Sequence, residues 1–175
     1  RTDADVKEQA ILLRLTPALE AETPIRAMDL PEDEAKAIRG FTFLSQKPIL
    51  HCLNLAEKEI GRAASLVESF GLADLAGRPA TRLGWVSAVI EAEVAQLAGD
   101  EQAAFLADLG LAEPAIKRVL TDCYTLLGLI SFFTVGEDEV RAWSVPRGTR
   151  AQEAAGAIHS DIARGFIRAE VVAAA

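Results

Sequence analysis

The sequence predicts a mixed α/β fold, and two stretches carry that expectation. Between Ile49 and Ala98 a strand, a helix, a second strand and a second helix follow one another, which is the rhythm of an α/β domain. After Gly128 the pattern changes to a hairpin, a helix and a further strand, the opening of a β-grasp module.

In chain order, residues 2–22 read as a helix. Thr2 or Asp3 caps it, and Val6, Ala10 and Leu13 with Ile11 and Leu15 recur at helical spacing. Pro17 is expected to bend or end its regular part. Thr23-Pro24 is a breaker. Pro31 ahead of Glu32-Asp33-Glu34 opens a second helix, because carboxylates are favoured at the positive end of the helix dipole. Gly40 lies near its end. Ile49-Leu50-His51-Cys52-Leu53 is apolar without alternation, which fits a strand covered on both faces in a parallel sheet. A helix over 57–70 places Ile60, Ala64, Val67 and Phe70 on one side, with Gly71 after its last turn. Residues 81–86 read as the second strand, and a helix follows Ser87-Ala88 to about Ala98. Asp100 is placed to cap a helix to Leu109. Glu113-Pro114 opens another that reaches Leu127, with Gly128 as its stop. Residues 130–135 and 140–145 flank the turn Gly136-Glu137-Asp138 as a hairpin. Thr149 and Gln152 have capping-box spacing for a helix to about Ala163, and 166–172 read as a strand.

Composition narrows the class. The 175 residues carry 18 Lys+Arg against 26 Asp+Glu, a net charge of −8, with 32 alanines. Collagen, low-complexity disorder and disulfide-stapled secreted domains are excluded. The longest uncharged stretch, Cys123 to Gly136, is 14 residues, short of the roughly 20 a spanning helix needs, so no membrane partner is expected. Two isolated cysteines, Cys52 and Cys123, suit a reducing, cytoplasmic compartment. The acidity argues against a generic nucleic-acid footprint. It is unevenly spread: residues 1–130 hold 20 acids and 13 bases, residues 131–175 six acids and five bases. All five of those bases are arginines, and an RNA contact in this stretch would be sought at Arg147, Arg150, Arg164 and Arg168.

Several motifs point to a family. Asn54-Leu55-Ala56-Glu57 and Ser87-Ala88 each sit just past a strand, where doubly wound sheets bind their ligands. Residues 132–143, Phe-Phe-Thr-Val-Gly-Glu-Asp-Glu-Val-Arg-Ala-Trp, closely resemble the start of the TGS domain in the YchF/Obg-like ATPase family. So do Gly148-Thr149, Gln152, Ala154-Ala155-Gly156, Ile158-His159-Ser160-Asp161 and Arg164 through Val171. Upstream, the resemblance extends through Lys47-Pro48-Ile49-Leu50, Asn54, Glu57, Ser87-Ala88 and Glu91-Ala92-Glu93. It implies the end of a helical insert in 1–22, the C-terminal half of a P-loop GTPase-type G domain in 23–128 and a partial TGS domain in 129–175. It also implies a base-recognition role for Asn54 and Leu55, with Ser87 and Ala88 lining the same pocket and Glu57 as part of the motif. Asn54 offers a purine edge both a donor and an acceptor. Glu57 is one methylene longer than the aspartate of an N-K-x-D motif, and Leu55 stands where that motif has lysine.

The phosphate half of such a site is not in the sequence. A P-loop needs G-x-x-x-x-G-K-[ST], and no Gly-Lys pair occurs. The chain therefore resembles a C-terminal portion without its P-loop. The intact protein would use ATP or GTP with Mg²⁺ and hydrolyse it, while this chain is expected to bind no cofactor, hold no metal and be inactive alone. The alternative is a non-catalytic TGS-type module for RNA, ligand or protein. An unpaired β-grasp edge would favour self-association. His51 and Cys52 alternate on a strand and read as packing residues. His159 with Asp161 reads as a cap, Glu137-Asp138-Glu139 as a solvated turn and Trp143 as core.

Overall fold

The computed structural model describes residues 2–173. The chain divides into two compact units, Arg1–Leu126 and Leu127–Ala175, each with helices and strands.

The first unit opens with α1 (Asp3–Glu20), capped by a reciprocal pair: Thr2 Oγ1 accepts from the Asp5 N–H and Asp5 returns the bond to the Thr2 N–H. The helix runs through Pro17 to Glu20, so the proline does not end it. A proline in the last turn removes one ladder bond and leaves little helix beyond it to disrupt. A single turn (Ile25–Ala27), α2 (Glu32–Ala37) and turns at Arg39–Phe41 and Leu44–Gln46 follow. Ile11, Leu15, Ile25 and Ile38 pack into a core there.

Strands β1 (Ile49–Asn54) and β2 (Thr81–Val86) pair in parallel, from Ile49 beside Thr81 to Asn54 beside Val86. Between them lie a 3₁₀ stretch, Glu57–Ser65, and α3 (Leu66–Ser69). The expected 57–70 helix is thus mostly tight turns, although Gly71 does follow it with a positive φ of 64°. Then come α4 (Ala88–Val94), α5 (Gly99–Asp108) and α6 (Ala115–Leu126). Helix α4 stops before Ala98. Helix α5 is capped not by Asp100 but by Glu101, whose carboxylate accepts from the Ala98 N–H. Ile90, Val94 and Leu106 join α4 to α5 in a second core.

Helix α6 packs on β1 and β2. The described sheet has two strands, so β1 is not sealed on both faces: its side chains are half-buried or open, and Cys52 is exposed. This corrects the expectation of a fully buried strand. A two-stranded ladder leaves its flanks uncovered whatever the apolarity of its sequence.

In the second unit β3 (Leu129–Val135) and β4 (Val140–Pro146) form an antiparallel hairpin, with Phe132 opposite Trp143. Trp143 Nε1 donates to Thr134 Oγ1 at 2.9 Å. Then follow α7 (Ala151–Ile158) and α8 (Ser160–Arg164). The single helix expected to Ala163 is broken at His159, which is extended and whose Nδ1 accepts from the Asp161 N–H; its expected capping role stands. The capping box also moves by one residue. Glu153 accepts from the Arg150 N–H, while Thr149 donates to the Pro146 carbonyl and Gln152 to that of Ala163. Residues 166–172 form no strand, because none of the described strands offers them a ladder partner.

Candidate functional site

Two six-residue strands in exact parallel register end at the same level, so Asn54 and Ser87 emerge side by side. Ala88 is the first residue of α4, and its N–H has no partner within the helix. Asn54 Oδ1 accepts it at 3.0 Å. The asparagine of one strand end therefore caps the helix that leaves the next. Its amide NH₂ makes no bond with a described residue and remains exposed.

Ser87 holds the N-cap position without capping. It is 2% exposed, and its Oγ has no hydrogen-bond partner. A buried hydroxyl left unpaired costs about 1–3 kcal/mol, and a ligand group reaching it would recover that cost. Leu55 donates its N–H to the Val86 carbonyl at 2.8 Å and is 4% exposed. Its side chain is spent on the interior. Glu57 caps nothing: Glu59 accepts from the Ala56 N–H instead. Glu57 lies on the rim of an open groove of about 1110 Å³, with Lys58, Trp85 and Asp108. Asn54, Ser87 and Ala88 are not among the residues lining that groove. The structure thus gathers Asn54, Leu55, Ser87 and Ala88 at one place and sets Glu57 further along.

Two supports beneath this site have only weak sequence signals. Glu91, on α4, accepts the Ala115 N–H at 2.7 Å and ties the start of α6 to α4. Arg82 of β2 pairs with Asp122 of α6 at 2.6 Å, and the Arg118 guanidinium lies 4.1 Å from the centre of the Trp85 ring. A run of charge on a helix says which face is wet but not which partner, 24 or 40 residues away, it will meet.

Arg147, Arg150, Arg164 and Arg168 are all exposed. Arg164 is paired with Asp161. Arg141 covers the Trp143 ring at 4.3 Å. Among the described residues no cluster of His, Cys, Asp and Glu is suited to a metal ion, and no helix is long and apolar enough to cross a membrane.

Cys52 is open to reagents, yet partial burial, and next the Asp122 carboxylate, push its thiol above the ordinary range. The thiolate is the reactive form. Cys52 should therefore alkylate slowly at neutral pH and accelerate as the pH is raised past 9. Mass-spectrometric rates with iodoacetamide check this, and a rate already at its plateau at pH 7.5 would contradict it.

Comparison with known proteins matches residues 129–175 to YchF-GTPase_C, a family described as a protein of unknown function (DUF933). The whole chain is similar to proteins named ribosome-binding ATPase YchF. It is 40% identical to that of Bacillus subtilis over 96% of this chain and 46% of the relative. It is 41% identical to that of Pasteurella multocida over 98% of this chain and 47% of the relative. A solved structure, that of the Schizosaccharomyces pombe YchF GTPase, superposes with a TM-score of 0.70 at 26% identity, over 94% of this chain and 44% of that one. The chain spans about half the length of the curated relatives it matches.

Proposed function

Because this chain belongs to the YchF family, we propose that it serves a ribosome-associated, nucleotide-dependent ATPase or GTPase, in which its first unit reads the purine base. The observation that carries this is the strand-end pair. Asn54 holds the start of α4 through its oxygen and presents its amide to solvent, beside a buried Ser87 hydroxyl with no partner. A purine edge supplies the complementary acceptors and donors. In this reading Ala88 lines the pocket with Ser87, Leu55 lies buried beneath it, and Glu57 stands apart on the neighbouring groove.

The cofactor of the whole protein would be ATP or GTP with Mg²⁺. The residues here fit the base and not the metal, since the described carboxylates form no suitable cluster. Phosphate binding, Mg²⁺ and hydrolysis would be the work of a P-loop, which this sequence does not contain. The second unit is proposed as a partial TGS module that contacts the ribosome or RNA in the cytoplasm. Exposed Phe133, Val135, Val140 and Ile167 support an interaction role there, and they leave an edge on which a second copy could also settle.

Calorimetry tests the division of labour. ATP and GTP titrated into this 175-residue chain should give no low-micromolar binding. Tight binding by this chain alone would overturn the assignment of phosphate affinity to a P-loop half.

A further inference from the structure

Helix α2 begins with three acids, and α1 neutralises two of them. Lys7 Nζ lies 2.5 Å from Asp33, and Arg14 pairs with Glu34. The cations that follow on the chain are left uncompensated: Lys36, Arg39 and Lys47 form no ion pair with any described residue. They do not scatter. All three line one cavity of about 420 Å³, together with Thr42, Gln46 and a single carboxylate, Glu32.

The charged residues of this open cavity are all exposed, and two further observations describe its walls. Thr42 sits in the left-handed region at φ 52°, ψ 39°, a costly conformation for a β-branched residue and one that tends to occur at ligand sites. It places a hydroxyl-bearing residue between Arg39 and Lys47 in the lining. Phe43 lines the cavity too, and it stacks on Phe41 with ring centres 5.3 Å apart and planes 7° apart, giving one wall a rigid apolar surface.

We propose that this cavity is a binding site for a phosphate dianion, held by Lys36, Arg39 and Lys47 with Thr42 and Gln46 as neutral donors. Three cations against one carboxylate leave a surplus of two positive charges. That surplus matches inorganic phosphate or a phosphomonoester better than the single charge of a phosphodiester. Arginine and lysine are the side chains whose charged donors bind phosphate oxygens most strongly. The site lies in a chain of net charge −8, so general electrostatics would not draw an anion there. This reading is independent of the base site at Asn54.

The test titrates inorganic phosphate, and separately a mixed-sequence single-stranded oligoribonucleotide without a terminal phosphate, into the chain while backbone amides are followed by NMR. Saturable shifts at Arg39 through Lys47 with phosphate are expected. The exposed pair Arg39→Gln/Lys47→Gln should lose affinity about tenfold or more with its melting temperature unchanged, and Lys117→Gln, at an exposed cation outside the cavity, should match the parent. Affinity should also fall as the pH drops and the dianion gains a proton. Failure to saturate with phosphate, or equal affinity in the double variant, overturns the proposal. Binding of the oligoribonucleotide alone, lost in the double variant, overturns the dianion assignment in favour of an RNA backbone.

Discussion

Asn54→Asp is expected to keep the melting temperature of the chain and to weaken purine-nucleotide binding by the whole protein roughly tenfold to a hundredfold. The two effects separate because the two ends of the side chain do different work. Oδ1 accepts the Ala88 N–H at 3.0 Å, and a carboxylate at the start of a helix accepts it at least as well. The amide NH₂, which makes no bond with a described residue, is the group that aspartate lacks. Asn54→Ala removes both functions. It leaves the first N–H of α4 unpaired beside a Ser87 hydroxyl already without a partner, so it should cost about 1–2 kcal/mol of stability as well as affinity. For a chain of this size that is a fall of about 2–8 °C. Thermal melts of the two variants, with ATP and GTP titrations in the presence of Mg²⁺, decide it. If Asn54→Asp binds nucleotide like the parent, the amide does not face the base.

How much of this site the sequence reveals differs residue by residue. Both strands are legible because their runs are short, apolar and closed by Asn54 and Ser87, and their parallel pairing follows from the helical stretch between them. That Ser87 is buried and without a partner is not legible, since burial at a strand end is set by what packs over it. The caps of α5 and α7 are displaced for one shared reason. Glu101 and Glu153 each reach back three residues to a free N–H, and this bond forms wherever the glutamate falls, whether or not a Ser, Thr or Asp stands at the cap. Cys52 shows the limit of hydrophobic patterning: the run Ile49 to Leu53 predicts a strand covered on both faces, but coverage depends on neighbours that a local pattern does not encode. The same reason leaves 166–172 outside any sheet, although Phe166, Ile167, Val171 and Val172 have good strand propensity. Propensity proposes a strand, and a ladder partner completes it.

The platform under the proposed base site depends on a glycine, and Gly84→Val is expected to cost about 3 kcal/mol, near the upper end for overpacking a well-packed interior. Gly84 is buried in β2 and pairs with Cys52. A Cβ built there would lie 3.0 Å from Asp122 Oδ2 and 3.4 Å from Leu50 Cδ1. Asp122 is not free to step aside, because Arg82 holds its other oxygen at 2.6 Å. A single methyl asks for a shift of a few tenths of an ångström, and the gain in strand propensity over glycine offsets part of it, so Gly84→Ala should cost about 1 kcal/mol or less. Valine adds two branches on the same spot. It must either break the Arg82–Asp122 pair or lift α6 from the sheet, and α6 is tied at its start to Glu91 of α4. The strain would therefore reach the helix that Asn54 caps. Gly84→Val should lower the melting temperature by about 6–12 °C and Gly84→Ala by only a few. If valine were tolerated as well as alanine, α6 would not be seated against β2 at this point, and the strand ends would owe their alignment to the ladder alone.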